Sequence, residues 1–554
     1  MKADYDYIIV GAGSAGCVLA GRLSQDPDTR VLLIEAGPPD HSLWIHLPIG
    51  YGKTMWDERF NWRFDTAPEP GMNGRRLYWP RGKTLGGSSS INGLIYIRGQ
   101  REDYDHWAGL GNPGWSFSDV LPYFKRAEGN QRGADEFHGG SGPLKVSDIA
   151  QPHPLIEAFI AGAQQIGVPR NDDFNGAQQQ GAGYYQLNTI KGWRCSAARA
   201  YLAPGQARRN LQVVTKAQAT QLVFDGARVT GLRFVQHGVE HRVSCAAEVL
   251  LCAGAVQSPQ LLQLSGIGAP DLLQGLGIAV RQALPGVGEN LQDHLQMRLS
   301  YECSQPITTN DALNSWAGRA RMAWQFIRRR AGPLAVGINQ GGCFMRALQD
   351  DVDETQGADA ANLAHAAAPQ RPDIQFHVGT LSADMAGGKP HPYSGFTLSV
   401  CQLRPQSRGH VRVRSTDPLA APEIQPNYLS AEIDQRTAVA AVKAARAIAA
   451  APAMRGLVRR EVMPGPAQQS DAELLDFCRQ QGATIFHPVG TCAMGTDPAA
   501  GAVVDARLRV HGVPGLRVVD ASVMPTLVSG NTHAAVVMLA EKAADMIRED
   551  ARVA

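Results

Sequence analysis

YDYIIVGAGSAGCVLAGRLSQDPDTRVLLIEAG, residues 5–37, decides the fold. Residues 7–10 form a short run that reads as a strand covered on both faces. Gly11, Gly13 and Gly16 then make G-x-G-x-x-G, with Ser14 inside it, and residues 15–23 continue as a helix of small residues. A second strand, 31–34, ends at Glu35. This order specifies a βαβ dinucleotide-binding unit. Its glycines let backbone approach a pyrophosphate at the helix N-terminus. Glu35 is placed to accept hydrogen bonds from an adenosine ribose. An acid there argues against a 2′-phosphate, hence against NADP, and leaves FAD and NAD open.

Three further stretches share the design of close turns beside apolar strands. WPRGKTLGGSSSINGLIYIRGQREDYDHW, residues 79–107, offers Gly86, Gly87 and Ser88 without bulk, flanked by apolar residues, and reads as a buried ligand-facing turn. GAVQSPQLLQLSGIG, residues 254–268, follows the apolar strand 249–252, and Pro259 is expected to open its helix. LRVVDASVMPTLVSGNTHAAVVMLAEKAADMI, residues 516–547, carries a strand into Asp520 and a loop into Asn531 at the start of a helix. Asn531 can cap that helix or aim its amide inward. Finally FHPVGTCAMG, residues 486–495, sets His487 in apolar surroundings with no carboxylate nearby in sequence. It reads as a satisfied core histidine or as a base for a bound molecule.

The bulk properties exclude several classes. At 554 residues the chain exceeds one hydrophobic core, so two or more domains are expected. A net charge of +2 gives no field for nucleic acid. The nine cysteines form no CxxC pair and are odd in number, which fits a reducing compartment better than a disulfide framework. No zinc-ligand spacing occurs, so no metal site is expected. No run of 18 apolar residues suggests a transmembrane helix, and the early first strand leaves no room for a signal peptide. The expected location is cytoplasmic.

Taken in order, these segments resemble the glucose–methanol–choline (GMC) flavin oxidoreductases. GKTLGGSSSIN and GAVQSPQLLQLSGIG match the family's two signature segments, and FHPVGT and SGNTH match its two active-site segments. The likeness runs from about residue 5 to 547. It is strongest to the bacterial FAD-dependent primary-alcohol dehydrogenases, through WPRGKTLGGSSSINGLIYIRG, FNWRFDTAPEPGMNGR and GNTHAAVVMLAEKAADMI.

The resemblance implies FAD, held by Gly11, Gly13, Ser14, Gly16 and Glu35 at its ADP half. The turn from Gly86 through Gly87, Ser88 and Asn92 to Gly93 would run beside the flavin and pyrophosphate, and Ala219 would lie near the adenine. Asp520, Ala521, Asn531, Thr532 and His533 would approach the ribityl chain and the ring. Whether His533 contacts flavin, lines the site or packs stays open. Some members attach FAD through a histidine where this chain has Ile91, so FAD is expected to be non-covalent. His487 is implied as the base that takes the alcohol proton while hydride passes to flavin N5, with Asn531 holding the same oxygen. Ile485 and Asn339 are the expected substrate-side residues. Asn339 stands where relatives often carry Glu, which argues against choline.

The implied activity is oxidation of primary alcohols to aldehydes, with electrons passed to a quinone or another acceptor. The alternatives are an O₂-using alcohol oxidase and a choline dehydrogenase-like activity. The expected architecture is α/β, α+β overall: a Rossmann-like FAD-binding domain from 1–300 and 490–554, and a substrate domain of antiparallel sheet plus helices from 301–489. A basic amphipathic segment, 312–332, places Leu313, Trp316, Ala320, Trp324 and Ile327 on one face. That face either packs on the core or meets a membrane surface where a quinone is available, as a peripheral contact on the inner face of the cytoplasmic membrane. The Ala-rich stretch 346–373 reads as a surface insertion. Oligomeric state is not legible.

Overall fold

The computed structural model describes residues 3–205, 207–348, 371–385 and 387–553, so most of the 346–373 stretch lies outside the described residues. The chain builds two seven-stranded sheets. In the first, Tyr5–Val10 lies between Val31–Ile34 and Val239–Leu251, parallel to both. Leu211–Val214 and Leu516–Val518 extend it in parallel on either side. Val239–Leu251 is long enough to leave this parallel part and pair antiparallel with Arg228–Gln236, which pairs with Ala217–Asp225. Residues Ile8, Ile9, Val31 and Leu33 are fully buried, as strands covered on both faces require.

Helix Ser14–Leu23 covers one face and packs against the long helix His533–Val553. The buried Glu541 of that helix takes Arg22 and Arg126 as ion pairs and the Tyr201 hydroxyl as a donor. An acid with three partners is tolerated in the interior, and it fixes the long helix to three other segments.

The second sheet is antiparallel: Val458–Met463, Leu295–Cys303, Gly395–Gln402, Ile374–Gly379, Asn339–Met345 and Gly181–Tyr184, with Ala483–Thr484 at the end of Leu295–Cys303. Its period of two separates two faces. Met297, Leu299, Tyr301, Phe376, Val378 and Leu398 form one core with helices Pro154–Gln165 and Glu432–Ala450. The opposite face is polar. Arg298 stands opposite Ser399 and Ser399 opposite His377, while Gln296 stands opposite Cys401 and Cys401 opposite Gln375.

Local details depart from what the sequence pattern suggests. Pro259 lies inside helix Gly254–Leu264 rather than at its start. A proline there cannot donate to the carbonyl four residues back. That carbonyl, of Ala255, instead accepts the Thr491 hydroxyl at 2.7 Å, so the FHPVGT segment supplies the missing donor. The alternating stretch 408–415 forms only the short strand His410–Arg412, paired with Glu423–Gln425. The basic helix, Trp316–Arg329, does not turn its aromatic stripe to the core: Trp316, Trp324 and Ile327 are 83%, 54% and 68% exposed. Met322 and Phe326 face inward instead, with Phe326 edge-on to Trp193 and packed on Leu47. Among the described residues no helix is long and apolar enough to cross a membrane.

Candidate active site

The glycines of the opening turn act by close approach. Gly11 has φ +96°, and a Cβ there would lie 2.7 Å from the Cys252 carbonyl oxygen. A Cβ on Gly16 would sit 1.9 Å from the Gly11 oxygen, so this glycine allows the helix to meet the strand. Gly13 is the N-cap and has no capping side chain, which leaves the first amides of helix Ser14–Leu23 free for a ligand anion. Gly87 packs onto the same turn: a Cβ on it would lie 2.7 Å from Gly13 Cα. The Gly86 amide donates to the Ala12 carbonyl at 2.8 Å. The two glycine clusters are therefore one backbone-to-backbone cradle.

The cradle opens into one continuous cavity of about 590 Å³. Gly11, Gly13, Ser14 and Glu35 line one end together with Ala219. Gly87, Ser88, Asn92, Gly93, Asp520, Ala521, Thr532 and His533 line its middle, and Ile485, His487, Asn531 and Asn339 line the part under the second sheet. Gly16 and Gly86 stand behind the wall as packing glycines. Of the aromatic stretch before the second glycine cluster, Met55, Trp56 and Trp62 reach the cavity, whereas Phe60 packs on Ile45 and Ile91, and Phe64 joins the second core.

Two carboxylates at the nucleotide end are already engaged. Glu35 accepts the amides of Ala12 and Gly37, both at 2.9 Å. Burial nonetheless pushes its pKa up to about 7. Asp520 accepts from the Gly254 amide, the Ser258 hydroxyl, and the Ser522 amide and hydroxyl. It ties the third glycine segment to the last one, with its lone pairs spent on protein. Asn92 is similarly held, its Oδ1 accepting Arg194 at 2.7 Å.

His487 is held by its backbone as well as its ring. Its amide donates to Asp293 at 2.7 Å, and Asp293 also accepts the Thr484 and Tyr428 hydroxyls. The preceding Phe486 has φ +73°, a conformation that costs a bulky residue about 1–3 kcal/mol. Its carbonyl accepts Arg81 at 2.6 Å and its amide donates to Thr484 at 2.7 Å, which keeps it there.

The ring protons follow from two fixed carbonyls. His294 Nε2 lies 2.9 Å from the Leu403 carbonyl, which only accepts, so this nitrogen carries the proton. Burial lowers the His294 pKa to about 4, so the ring is neutral and its Nδ1 is a lone pair. That Nδ1 lies 3.0 Å from His487 Nδ1, which must therefore donate. The His487 Nε2 is left as an acceptor. From the other side, Tyr185 donates to the Phe376 carbonyl at 2.6 Å and accepts from Gln375 Nε2 at 3.0 Å. The same Nε2 donates to Asn531 Oδ1 at 3.2 Å. The Asn531 Nδ2 then faces His487 Nε2 at 3.2 Å.

With His487 Nε2 unprotonated, it accepts from this amide, so an acceptor and a donor meet at a single point of the cavity that a substrate hydroxyl can share. Burial, reinforced by His294, His377 and Arg81, holds the His487 pKa well below its ordinary value. His377, also buried, is lowered to about 3, first by burial and then by His294. This arrangement can take a proton from one hydroxyl while hydrogen-bonding its oxygen.

His294, Gln375 and His377 were not singled out in the sequence. His294 lies just before strand Leu295–Cys303, and Gln375 and His377 fall on the polar face of Ile374–Gly379. The usable signal was period-two alternation ending in a histidine.

The cavity fits an elongated dinucleotide. Its glycine cradle has no side chains to obstruct one end. The buried His533 Nε2 has no partner, while its Nδ1 meets Ser14 Oγ at 2.9 Å. Burial lowers the His533 pKa to about 4, so Nε2 is a neutral ring nitrogen waiting for a ligand atom.

A Rossmann-like sheet, an uncapped glycine turn and a proton-accepting site at the far end of one cavity define a nucleotide-dependent oxidoreductase. The chain belongs to the GMC oxidoreductase family, whose N-terminal model matches residues 5–296 and whose C-terminal model matches 405–540. These are flavoproteins, and FAD is the cofactor the cavity serves. The chain is 42% identical to alcohol dehydrogenase [acceptor] of Pseudomonas putida over 546 residues, 98% of this chain and 95% of that one. It is 44% identical to oxygen-dependent choline dehydrogenase of Yersinia pestis over 552 residues, 98% and 94% of the two chains. Among solved structures, pyridoxine 4-oxidase from Mesorbium loti superposes with a TM-score of 0.86 at 33% identity, over 99% of both chains.

Proposed function

We propose that this protein oxidises primary alcohols to aldehydes, with His487 as the base and Asn531 as the donor that holds the same oxygen. The observation that carries this reading is the hydrogen-bond chain from Leu403 to Phe376, which leaves a lone pair and an amide N–H facing one point. FAD, when bound, supplies the two-electron acceptor that takes the carbinol hydrogen as hydride. His487 Nε2 accepts the hydroxyl proton, and Asn531 Nδ2 bonds the oxygen as its charge grows. Ile485 and Asn339 line the substrate side. We assign the first sheet, with 490–554, to an FAD-binding domain and the second to a substrate domain. Choline fits less well than a neutral alcohol, because Asn339 supplies no negative charge there and Arg298 in the same wall repels a cation.

The electron acceptor is read as a quinone at a membrane surface. The exposed Trp316, Trp324 and Ile327, flanked by Arg319, Arg321, Arg328 and Arg329, present apolar and cationic groups together, as binding to anionic lipid requires. The wild-type protein should float with phosphatidylglycerol vesicles, and a Trp316→Ser/Trp324→Ser double variant should not. Equal flotation of the two proteins would remove the membrane contact.

The activity is tested on the purified yellow protein without oxygen. A primary alcohol should bleach the flavin, and a soluble quinone should restore the colour faster than air does. Recovery at least as fast in air would favour the oxidase alternative, and no bleaching across an alcohol series would end the reading. Acid precipitation of the same sample should leave all flavin in the supernatant, since Ile91 has no atom that forms a bond to it.

A further inference from the structure

The polar face of the second sheet carries a charge that the proposed reaction does not use. Arg298 lines the cavity beneath the same strands as His377. Its Nε is inaccessible to solvent and has no hydrogen-bond partner, and among the described residues no ion pair engages its guanidinium. Arg298 as a whole is half-buried, and the fully buried arginines contrast with it: Arg194 donates to Ile45, Ser89 and Asn92, Arg98 to Glu128, and Arg517 to Glu248 and Asp550. Arg479 Nε is likewise buried without a partner, but it does not line the cavity. A guanidinium left without an anion in such a wall is unfavourable unless a ligand supplies one.

The surroundings narrow the ligand. The acids lining the cavity are not available to Arg298: Glu35 and Asp520 are spent on backbone and hydroxyl donors, and Asp384 pairs with His391 at the rim. Tyr51 lies close enough to feel the guanidinium charge, and Ile338 and Asn339 adjoin it in the wall. The register Arg298–Ser399–His377 sets the two backbones two strand spacings apart, about 10 Å. That separation leaves room for a short carbon chain between a group held at Arg298 and the end of the cavity at His487.

We propose that Arg298 holds the carboxylate of the substrate, so that the alcohols this enzyme prefers are hydroxy acids whose acid group lies a few bonds beyond the CH₂OH. The planar guanidinium offers two parallel N–H donors that match a carboxylate. Of the arginines in the cavity wall, Arg75, Arg76 and Arg81 donate to backbone carbonyls, which leaves Arg298 as the guanidinium to meet a single negative charge. The inference rests on the alcohol-oxidising reading and narrows its substrate class. The chemistry at the carbinol is unchanged: its proton goes to His487 and its hydride to the cofactor.

The test compares 4-hydroxybutyrate and 6-hydroxyhexanoate with their methyl esters as reductants of the wild-type holoenzyme under anaerobic conditions. We expect kcat/KM to favour the acids by about 100-fold, and Arg298→Met to bring the ratio near one. Arg298→Lys should retain part of the preference, because it keeps the charge without the paired donors. Butyrate and hexanoate, which cannot be oxidised, should perturb the flavin spectrum of the wild type and not of Arg298→Met. Equal use of acids and esters by the wild type would overturn the proposal and leave alcohol oxidation standing. If neither class reduces the flavin, the alcohol reading fails, and the carboxylate titration still decides the role of Arg298. Should Arg298→Met not fold, the wild-type ratio and Arg298→Lys carry the decision.

Discussion

His487→Ala should lower the rate of anaerobic flavin reduction by a primary alcohol about 1,000-fold while the protein stays yellow. The loss is large because the substitution removes the ring acceptor that the surrounding network keeps unprotonated beside Asn531. The colour should persist because the backbone is held independently, by the amide of residue 487 on Asp293 and by Arg81 on the Phe486 carbonyl. The pH dependence separates a base from a packing residue. Burial disfavours the imidazolium, so the His487 pKa lies well below 6.5 and the reactive neutral form is complete at pH 7. Reduction by the wild type should stay level as pH falls through 6.5 and decline only further into the acid range. A histidine whose folded pKa is depressed also contributes stability above its unfolded pKa and loses it as pH falls. The melting temperature should therefore drop between pH 6.5 and 4, the window set by His294 and His533. If His487→Ala reduces as fast as the wild type, the base lies elsewhere.

Much of this arrangement is legible in sequence, and the reason differs from part to part. Residues 5–37 specify the dinucleotide unit because short apolar runs, glycine spacing and an acid all act within one local stretch. His487 and Asn531 stand out because a polar residue among apolar and small ones has few ordinary uses. His294, Gln375, His377 and Arg298 do not stand out. Period-two alternation marks a polar face, but it is the same whether that face meets water or a cavity, and here the face lines the cavity. Pro259 misleads for a related reason: proline usually opens a helix, and nothing near it in sequence announces that Thr491 will satisfy the Ala255 carbonyl. On the basic helix, the apolar stripe is real, but periodicity does not say which side the core is on. Met322 and Phe326 are enough to anchor the helix, and the larger aromatics face outward.

Asn531 should matter almost as much as the base, and the way its variants fail identifies its role. Asn531→Leu preserves bulk and removes the donor to the substrate oxygen. Reduction should slow by about 100- to 1,000-fold, mostly in kcat, as when one donor to a developing oxyanion is lost. Gln375→Leu leaves Asn531 in place but removes the N–H that fixes its amide through Oδ1. The carboxamide can then turn its oxygen toward the His487 lone pair, and a loss of about 10-fold is expected, since the correct orientation is still populated. Asn531→Asp gives a different signature. A carboxylate beside His487 favours the imidazolium and raises its pKa, so the acid limb of the rate profile should move toward neutral pH. A purely structural asparagine would slow the enzyme at all pH values alike in every one of these variants. The Asp variant distinguishes the cases because it changes whether Nε2 carries a proton at the working pH: an unmoved acid limb would mean that residue 531 does not face the base.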